Sequence, residues 1–491
     1  MLILQNDICF NGAYKKLTLK SWEEKYSCTV NGKKCFVNMA RVSKVPFNRP
    51  WDGIQRPINQ TEINGFINFA ADEEVEIVIE SKESVNKVTL RPLSSKIDVC
   101  VQNNIIRFKL ATPGQYVVEI NDQHEAVHIF YDNIHEFENK EVATYYFGPG
   151  VHKCGIITLR DNESIYVDRD AVVLASVFAE NAKNISIFGS GILDGSTEER
   201  VGTTITPVSG CYEDMTIGNI RMYNCENVSI EGVILRDSAS WTAAFFDCDN
   251  IQINNIKIIG QWRYNTDGID LTNTSNVKIT NSFVRSFDDA ISIKGIYGYE
   301  NYIENIDVDN CVLWCGWGKS CELGAETGAK GYRNICFKNI ECIHNSIAAM
   351  DIQNCNDADI HHIYFKNINV EYSIDEPIMM LQNDATPEYI VQNVPQVCAF
   401  IKLDNRKTVY KFDWENGIYG PIHDVYFENV NACVEDENII KPTIHICSHD
   451  SSCEFSNISI DNITINNRKD MSGFKIVKMN CSDIFINSEK M

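Results

Sequence analysis

The sequence predicts an all-β chain: a right-handed parallel β-helix preceded by a small antiparallel β-sandwich. Three observations predict it. A short phrase, Asn followed by alternating apolar positions, recurs at Asn184, Asn227, Asn250, Asn276, Asn305, Asn334 and Asn457. Period-2 alternation marks strands with one buried face. From Asn227 to Asn334 the phrase returns every 23 to 29 residues, a spacing typical of stacked repeats that share one core. Finally, Asp267 and Asp288 lie 21 residues apart, about one coil, so residues distant in sequence should meet in space.

The elements follow in order. Residues 1–142 lack the phrase and carry separate alternating runs, such as Val75–Ile79 and Tyr116–Ile120, with turn signals between them. That pattern predicts the sandwich. The boundary is expected near Asn139–Tyr146, and Phe147-Gly148-Pro149-Gly150-Val151 opens the helix of residues 143–491. Asn at the corners suits the left-handed backbone of sharp turns. A leucine-rich repeat is excluded because its Leu-x-x-Leu-x-Leu phrase is missing, and a propeller needs a longer period. Residues 371–422 interrupt the repeat and carry Tyr372, Tyr389, Tyr410, Trp414 and Tyr419. Long loops on rigid scaffolds often carry function, and the alternative is a loop packed on the helix side. Trp51 and Arg56 read as structural residues between the two parts.

A formal charge of −23 argues against nucleic acid and acidic membrane surfaces. No run of about 18 apolar residues predicts a membrane span. The first residues show no basic region before an apolar stretch, so no secretory signal is read there. With 19 cysteines and no CxxC pairs, the expectation is reduced, buried thiols in the cytoplasm and no metal. His344, His361, His362 and His445 show no triad or metal spacing.

The chemistry is expected at Asn265-Thr266-Asp267-Gly268-Ile269-Asp270 and Asp288-Asp289-Ala290-Ile291-Ser292-Ile293-Lys294. Asp270 alternates with Ile269 and Leu271, so it should point away from the core. A single Asp before a strand commonly caps its own turn. Three in register one coil apart place an acid beside a base, because crowded carboxylates raise one another's pKa. Glycosidic hydrolysis uses that pairing and no cofactor. Clustered carboxylates could instead bind calcium.

These motifs, with Leu235-Arg236-Asp237-Ser238-Ala239-Ser240-Trp241-Thr242 and Gly189-Ser190-Gly191-Ile192-Leu193-Asp194-Gly195, resemble glycoside hydrolase family 28, the polygalacturonase family, over about residues 150–355. The resemblance implies a right-handed β-helix that hydrolyses with inversion. It implies Asp288 as general acid, with Asp267 and Asp289 orienting and deprotonating water. Lys294 resembles the lysine of the family's Ile-Ala-Ile-Lys. Two motifs depart. The family's Gly-His-Gly falls near Gly316-Trp317-Gly318-Lys319-Ser320, and its Arg-Ile-Lys near Asp351-Ile352-Gln353. Asp351 replaces an arginine that binds a uronate, and like charges repel. Homogalacturonan is therefore not the expected substrate. The rhamnogalacturonan hydrolase branch and the dextranase family, which pairs a β-sandwich with a β-helix, are parallels.

The expected activity is inverting hydrolysis of a neutral or partly acidic α-linked oligosaccharide, pectin-derived or a glucan. Expected substrate contacts are Asn265, Lys294, Lys319, Glu322 and Asp351, with Trp241 and Trp317 as sugar platforms; the alternatives are outer packing for the two tryptophans and ordinary outward-facing charges for Lys319 and Glu322. A polysaccharide lyase, an intramolecular transglycosylase and a non-catalytic carbohydrate-binding protein are the alternatives on the same fold.

Overall fold

The computed structural model describes residues 1–6, 25–44, 47–48, 61–200, 216–296, 301–376, 380–382, 389–391, 397–405 and 419–490. Trp51, Arg56, Tyr410 and Trp414 lie outside them.

The N-terminal strands form a six-stranded and a five-stranded sheet. Alternation in Val75–Ser81 turns Val75, Ile77 and Ile79 inward, where they meet Ile67, Phe69, Val118 and Ile129 of the other sheet. One pairing departs from the antiparallel expectation: Asp122–Asp132 runs parallel to Thr61–Ala71. These strands are joined by a long excursion through the other sheet, and such a connection permits parallel pairing where a tight hairpin does not.

From Tyr145 onward the described strands belong to one 29-stranded sheet, wound as a right-handed parallel β-helix, except Met380–Gln382 and Tyr389–Val391, which form a small three-stranded sheet with Phe47–Asn48. The recurrent phrase sets the register. Ile185, Val228, Ile251, Val277, Ile306, Ile335, Ile363, Val425, Ile458 and Ile484 stack on one another coil after coil, forming one row of the core. The Asn that starts each phrase holds the left-handed corner, with φ of 58° at Asn227, 54° at Asn250 and 58° at Asn305. Each side-chain amide also bonds along the axis: Asn227 donates to Asn184 at 3.1 Å, Asn250 to Asn227 at 2.7 Å, and Asn305 to Asn276 at 2.9 Å. A second ladder runs through Asn310–Asn281 (2.8 Å), Asn367–Asn339 (2.9 Å), Asn429–Asn367 (2.9 Å) and Asn462–Asn429 (2.7 Å).

The sandwich buttresses the side of the helix. Phe66 and Phe130 pack with Phe283 and Trp314. Arg285 crosses the junction: it bonds Asn64 and His128 Nε2 (3.1 Å) and lies 3.6 Å from the Trp314 ring centre. Burial and the Arg285 charge hold His128 well below its usual pKa, so it is neutral and can accept that bond. Lys257 Nζ reaches both Asp132 oxygens at 2.8 Å. Because Arg285 lies three residues before Asp288, these contacts fix the strand that delivers the second aspartate cluster.

Candidate active site

The first cluster rides on a braced corner. Asp237, with a left-handed φ of 53°, accepts from Trp262 Nε1 (2.8 Å) and Arg263 Nη1 (2.7 Å). Arg263 also caps the carbonyls of Asp237 and Ser238 at 3.0 and 2.8 Å, and Thr266 Oγ1 closes the turn on the Arg263 carbonyl at 2.7 Å. One coil earlier, Arg236 pairs with the fully buried Asp194. The Arg236-Asp237 and Asp194-Gly195 motifs thus act as scaffold for Asp267.

Ile269 pairs with Ile291 in register, so Asp267 is level with Asp289 and one residue beyond Asp288. One oxygen from each of Asp267, Asp288 and Asp289 lies within 4.8 Å of the others. The register thus gathers all three carboxylates into one patch. Asp270 points away from the core, as its alternation predicts, yet it is fully covered: Ser292 Oγ donates to it at 2.8 Å and Lys294 Nζ lies 2.9 Å away.

Lys294 is the hub. Its Nζ is 2.8 Å from Asp267, 2.9 Å from Asp270 and 3.7 Å from Asp289. Burial works against its charge, but Asp267 and Asp270 outweigh that and raise its pKa well above normal. Beneath it, 4.0 Å away, is the Trp241 ring. Trp241 is only 2% exposed and stacks on Phe246. It is therefore no sugar platform: it supplies a cation–π floor that holds Lys294 against the acids. The sequence leaves this open because an indole between charged coils looks the same whether it faces solvent or a lysine.

Of the two glycines retained at the Gly-His-Gly position, Gly318 has a clear steric reason. A Cβ there would come within 2.1 Å of Asp289 Oδ1 and 2.8 Å of Asp288 Oδ1. Its absence lets the Lys319 amide donate to Asp289 Oδ1 at 2.9 Å. Lys319 Nζ lies 3.5 Å from the same oxygen and 2.7 Å from Glu322 Oε1. Trp317 is half-buried and stacks on Phe287, the residue before Asp288, at 6.4 Å.

The environments push these carboxyls apart. Burial first, then the Asp289 charge, raise Asp288 to about 7 against the pull of Lys319 and Lys294. Burial also acts on Asp289, but Lys319, a hydrogen bond from Glu322, and Lys294 together leave it below its ordinary value. Glu322, fully buried, moves the opposite way: burial and Asp289 raise it well above normal, so it holds a proton and donates to Asp289. Burial raises Asp267, with Lys294 pulling against it and the other three aspartates adding to it.

Outward-facing residues of successive coils form a column: Asp270, Ser292, Glu322, Asp351, Lys402, His445. Asp351 is fully buried and pairs with Lys402 Nζ at 3.0 Å, which also reaches Gln353 at 3.4 Å. Lys402 thus brings one basic residue to the point of the repeat where the family carries its Arg-Ile-Lys pair. It lies 51 residues from Asp351 because residues 371–398 intervene before the next coil. Asn265, at φ 47°, accepts from Arg200 Nη2 at 3.0 Å. It thus positions an arginine that sequence reasoning missed. Arg200 also bonds the Tyr264 carbonyl, and although burial lowers it to about 10, Asp267 and Asp288 pull the other way and it stays charged at neutral pH. Nothing in the repeat marks it, since it follows the Asp194-Gly195 corner and joins the site from outside the stacked strands.

The sequence profile of glycosyl hydrolases family 28 matches residues 144–397, just over half of the chain. The probable exopolygalacturonase B of Neosartorya fischeri is 28% identical over 218 residues, 41% of this chain and 46% of the relative. Exopolygalacturonase B of Aspergillus niger is 23% identical over 307 residues, 58% and 62% of the two chains. The chain thus spans about half the length of the curated relatives it matches. Among solved structures, a hyperthermoactive exopolygalacturonase from Thermotoga maritima gives a TM-score of 0.48 at 17% identity, covering 70% of this chain and 84% of that one. Dex49A from Penicillium minioluteum also gives 0.48, at 14% identity, covering 91% and 90%. The profile encloses both aspartate clusters and the Gly318 corner that shapes them, and the chain belongs to glycosyl hydrolases family 28.

Proposed function

We propose that the chain hydrolyses O-glycosidic bonds of an α-linked oligosaccharide, with Asp288 as general acid and Asp289 with Asp267 holding the attacking water. One observation carries this reading: Asp288, raised to about 7, adjoins Asp289, held ionised, with Asp267 within 4.8 Å of both. A proton donor and an anion at neutral pH are what glycoside cleavage requires. Asp288 is also the most exposed of the three, which suits a group that must reach the glycosidic oxygen.

The stereochemical proposal is inversion. The short separation alone would fit the about 5–5.5 Å of retaining pairs. Burial argues the other way. Asp267 is 2% exposed and tied to Lys294, while Asp289 is 6% exposed and tied to the Lys319 amide. An anomeric carbon must touch a nucleophilic carboxylate, whereas a water can reach both oxygens from between them. NMR of the first-formed anomer tests this; an initial product with the substrate's own configuration overturns inversion.

The substrate proposal is a neutral or partly acidic sugar, pectin-derived or a glucan. Lys294, Lys319 and Lys402 each face a carboxylate of this chain, Asp267, Asp289 and Asp351, so a uronate would have to displace an existing ion pair. Hydrolysis should appear on neutral α-linked oligosaccharides in a mass-spectrometric panel and be weak on polygalacturonate. Asp351→Ala, which releases Lys402, should increase turnover of uronate-containing substrates. Robust wild-type hydrolysis of polygalacturonate would overturn the neutral-sugar assignment while leaving the acid and base in place.

A further inference from the structure

A second constellation of ligating side chains stands at the C-terminal end of the same outward-facing column, beyond the residues that match the family. Asp404, His445 and His449 each bring one ligand atom to within 4.8 Å of the others. Asp404 Oδ1 is 3.2 Å from His449 Nε2, and Asp404 Oδ2 is 3.7 Å from His445 Nε2. The sequence gives no hint of it. Asp404 and His445 are 41 residues apart, and only the stacking of one coil on the next puts the end of strand Ala399–Asp404 against strand Thr443–Cys447.

The site is built. Asp404 is 1% exposed, while His445 and His449 rise to 19% and 34%, so a buried anion faces two accessible imidazoles. The loop carrying His449 is clamped to the residue after Asp404. Fully buried Asn405 accepts from the His449 backbone amide at 2.5 Å and donates to Ser448 Oγ at 2.9 Å. Ser448 Oγ in turn meets the Asp450 and Cys453 carbonyls at 2.9 and 2.6 Å. His445 turns Nδ1 toward Cys447 Sγ at 3.9 Å, which aims Nε2 at Asp404. Fixing one ring nitrogen so that the other is presented is the usual way ligating histidines are oriented.

We propose that Asp404, His445 and His449 bind one divalent transition-metal ion of the zinc class. With metal–nitrogen and metal–oxygen bonds of about 2.0–2.2 Å, ligand atoms around a four-coordinate ion stand about 3.3–3.5 Å apart. Asp404 turns one oxygen to each ring, Oδ1 to His449 at 3.2 Å and Oδ2 to His445 at 3.7 Å, so the carboxylate can grip an ion through both oxygens with the two imidazoles opposite. Two imidazoles and one carboxylate select zinc, cobalt or nickel over calcium and magnesium, which prefer all-oxygen sets. His445 is three strands from Glu322 along the column, roughly 14 Å at the usual strand spacing, so the ion is not part of the bond-breaking step. It would staple the last coils together.

The test is titration of the chelator-treated full chain with Co2+, followed by calorimetry and absorption. Co2+ is chosen because binding at the chain's many thiols announces itself by an intense thiolate charge-transfer band. The expected result is one equivalent bound without that band, raising Tm. Affinity should fall at least tenfold in both His449→Ala and Asp404→Asn, with Ca2+ and Mg2+ failing to compete. His449 is at the surface, so its variant folds even if Asp404→Asn does not. Equal binding by wild type and His449→Ala, or no uptake at millimolar Co2+, would overturn the proposal. So would unchanged ion binding in His449→Ala with a raised KM for long oligosaccharides only, which would make the cluster a sugar subsite.

Discussion

Two corners of one β-helix solve the same geometric problem with opposite chemistry. At the Asn corners, each left-handed residue carries an amide that both donates and accepts, so stacking identical residues satisfies every neighbour, as Asn250, Asn227 and Asn184 do. At the Asp corner, stacking brings acid onto acid: Asp267, Asp289 and Glu322 meet, and Lys294 and Lys319 hold them. The first arrangement repeats because it is neutral and self-complementary. The second cannot repeat, because each added carboxylate raises the cost of ionising the others. A polar residue recurring in every coil therefore marks scaffold, and a charged one that departs from the repeat marks chemistry.

That contrast can be broken at either corner, and the charged corner should suffer most. Lys294→Met removes the cation shared by Asp267, Asp270 and Asp289. Leaving buried charges unpaired costs about 3–5 kcal/mol. Without Lys294 the pKa of Asp267 climbs further, so the folded state resists its ionisation. The stability deficit should then grow as pH rises and shrink in acid, and turnover should fall at least about 10²-fold. Urea unfolding at several pH values checks the sign, and a deficit independent of pH would mean that Lys294 acts only by packing on Trp241.

Gly318→Ala comes next. The added methyl meets Asp289 and Asp288 oxygens, so either the Lys319 amide or the aspartates must move. A shift on the order of 1 Å in a catalytic group costs about 10²-fold in rate. The methyl also meets the Asp289 backbone nitrogen at 2.5 Å, so the expected outcome is a lowered kcat together with a lowered Tm. Unaltered kcat would show that the Lys319 amide does not set the position of Asp289.

The smallest effect is expected at the neutral corner. Asn276→Ala breaks an amide bond to Asp249 and a link of the ladder to Asn305, and places Ala at φ 56°. Net hydrogen bonds and left-handed strain are each worth about 1 kcal/mol, so stability should fall by about 1–3 kcal/mol with kcat untouched. A loss of kcat comparable to that of Gly318→Ala would erase the distinction between the corners.

What could be read from the sequence follows the same division. The core row from Ile185 to Ile484 repeats, and so do its Asn corners, which is why the β-helix was legible. Asp267, Asp288 and Asp289 were legible because they share one strand register. Lys402 was not, since residues 371–398 separate it from Asp351, and register rather than sequence distance makes them neighbours. Arg200 enters from outside the stacked strands. For Trp241 the sequence leaves platform and packing open, because burial under Lys294 depends on the coil above it. His445 and His449 were missed for the reason Lys402 was: ligand spacing along a chain says little where coils of unequal length stack.

The central claim is that Asp288 holds the catalytic proton beside an ionised Asp289. It is tested most directly by the pH dependence of kcat/KM for wild type and Asp288→Asn on a hydrolysed member of the oligosaccharide panel. Since burial and Asp289 raise Asp288 to about 7, wild-type activity should decline as pH climbs through 7 and the acid loses its proton. Asp288→Asn should remain folded, lose about 10²–10⁴-fold in rate and lose that alkaline limb. Near-wild-type turnover in Asp288→Asn, or an unchanged alkaline limb, would contradict the account.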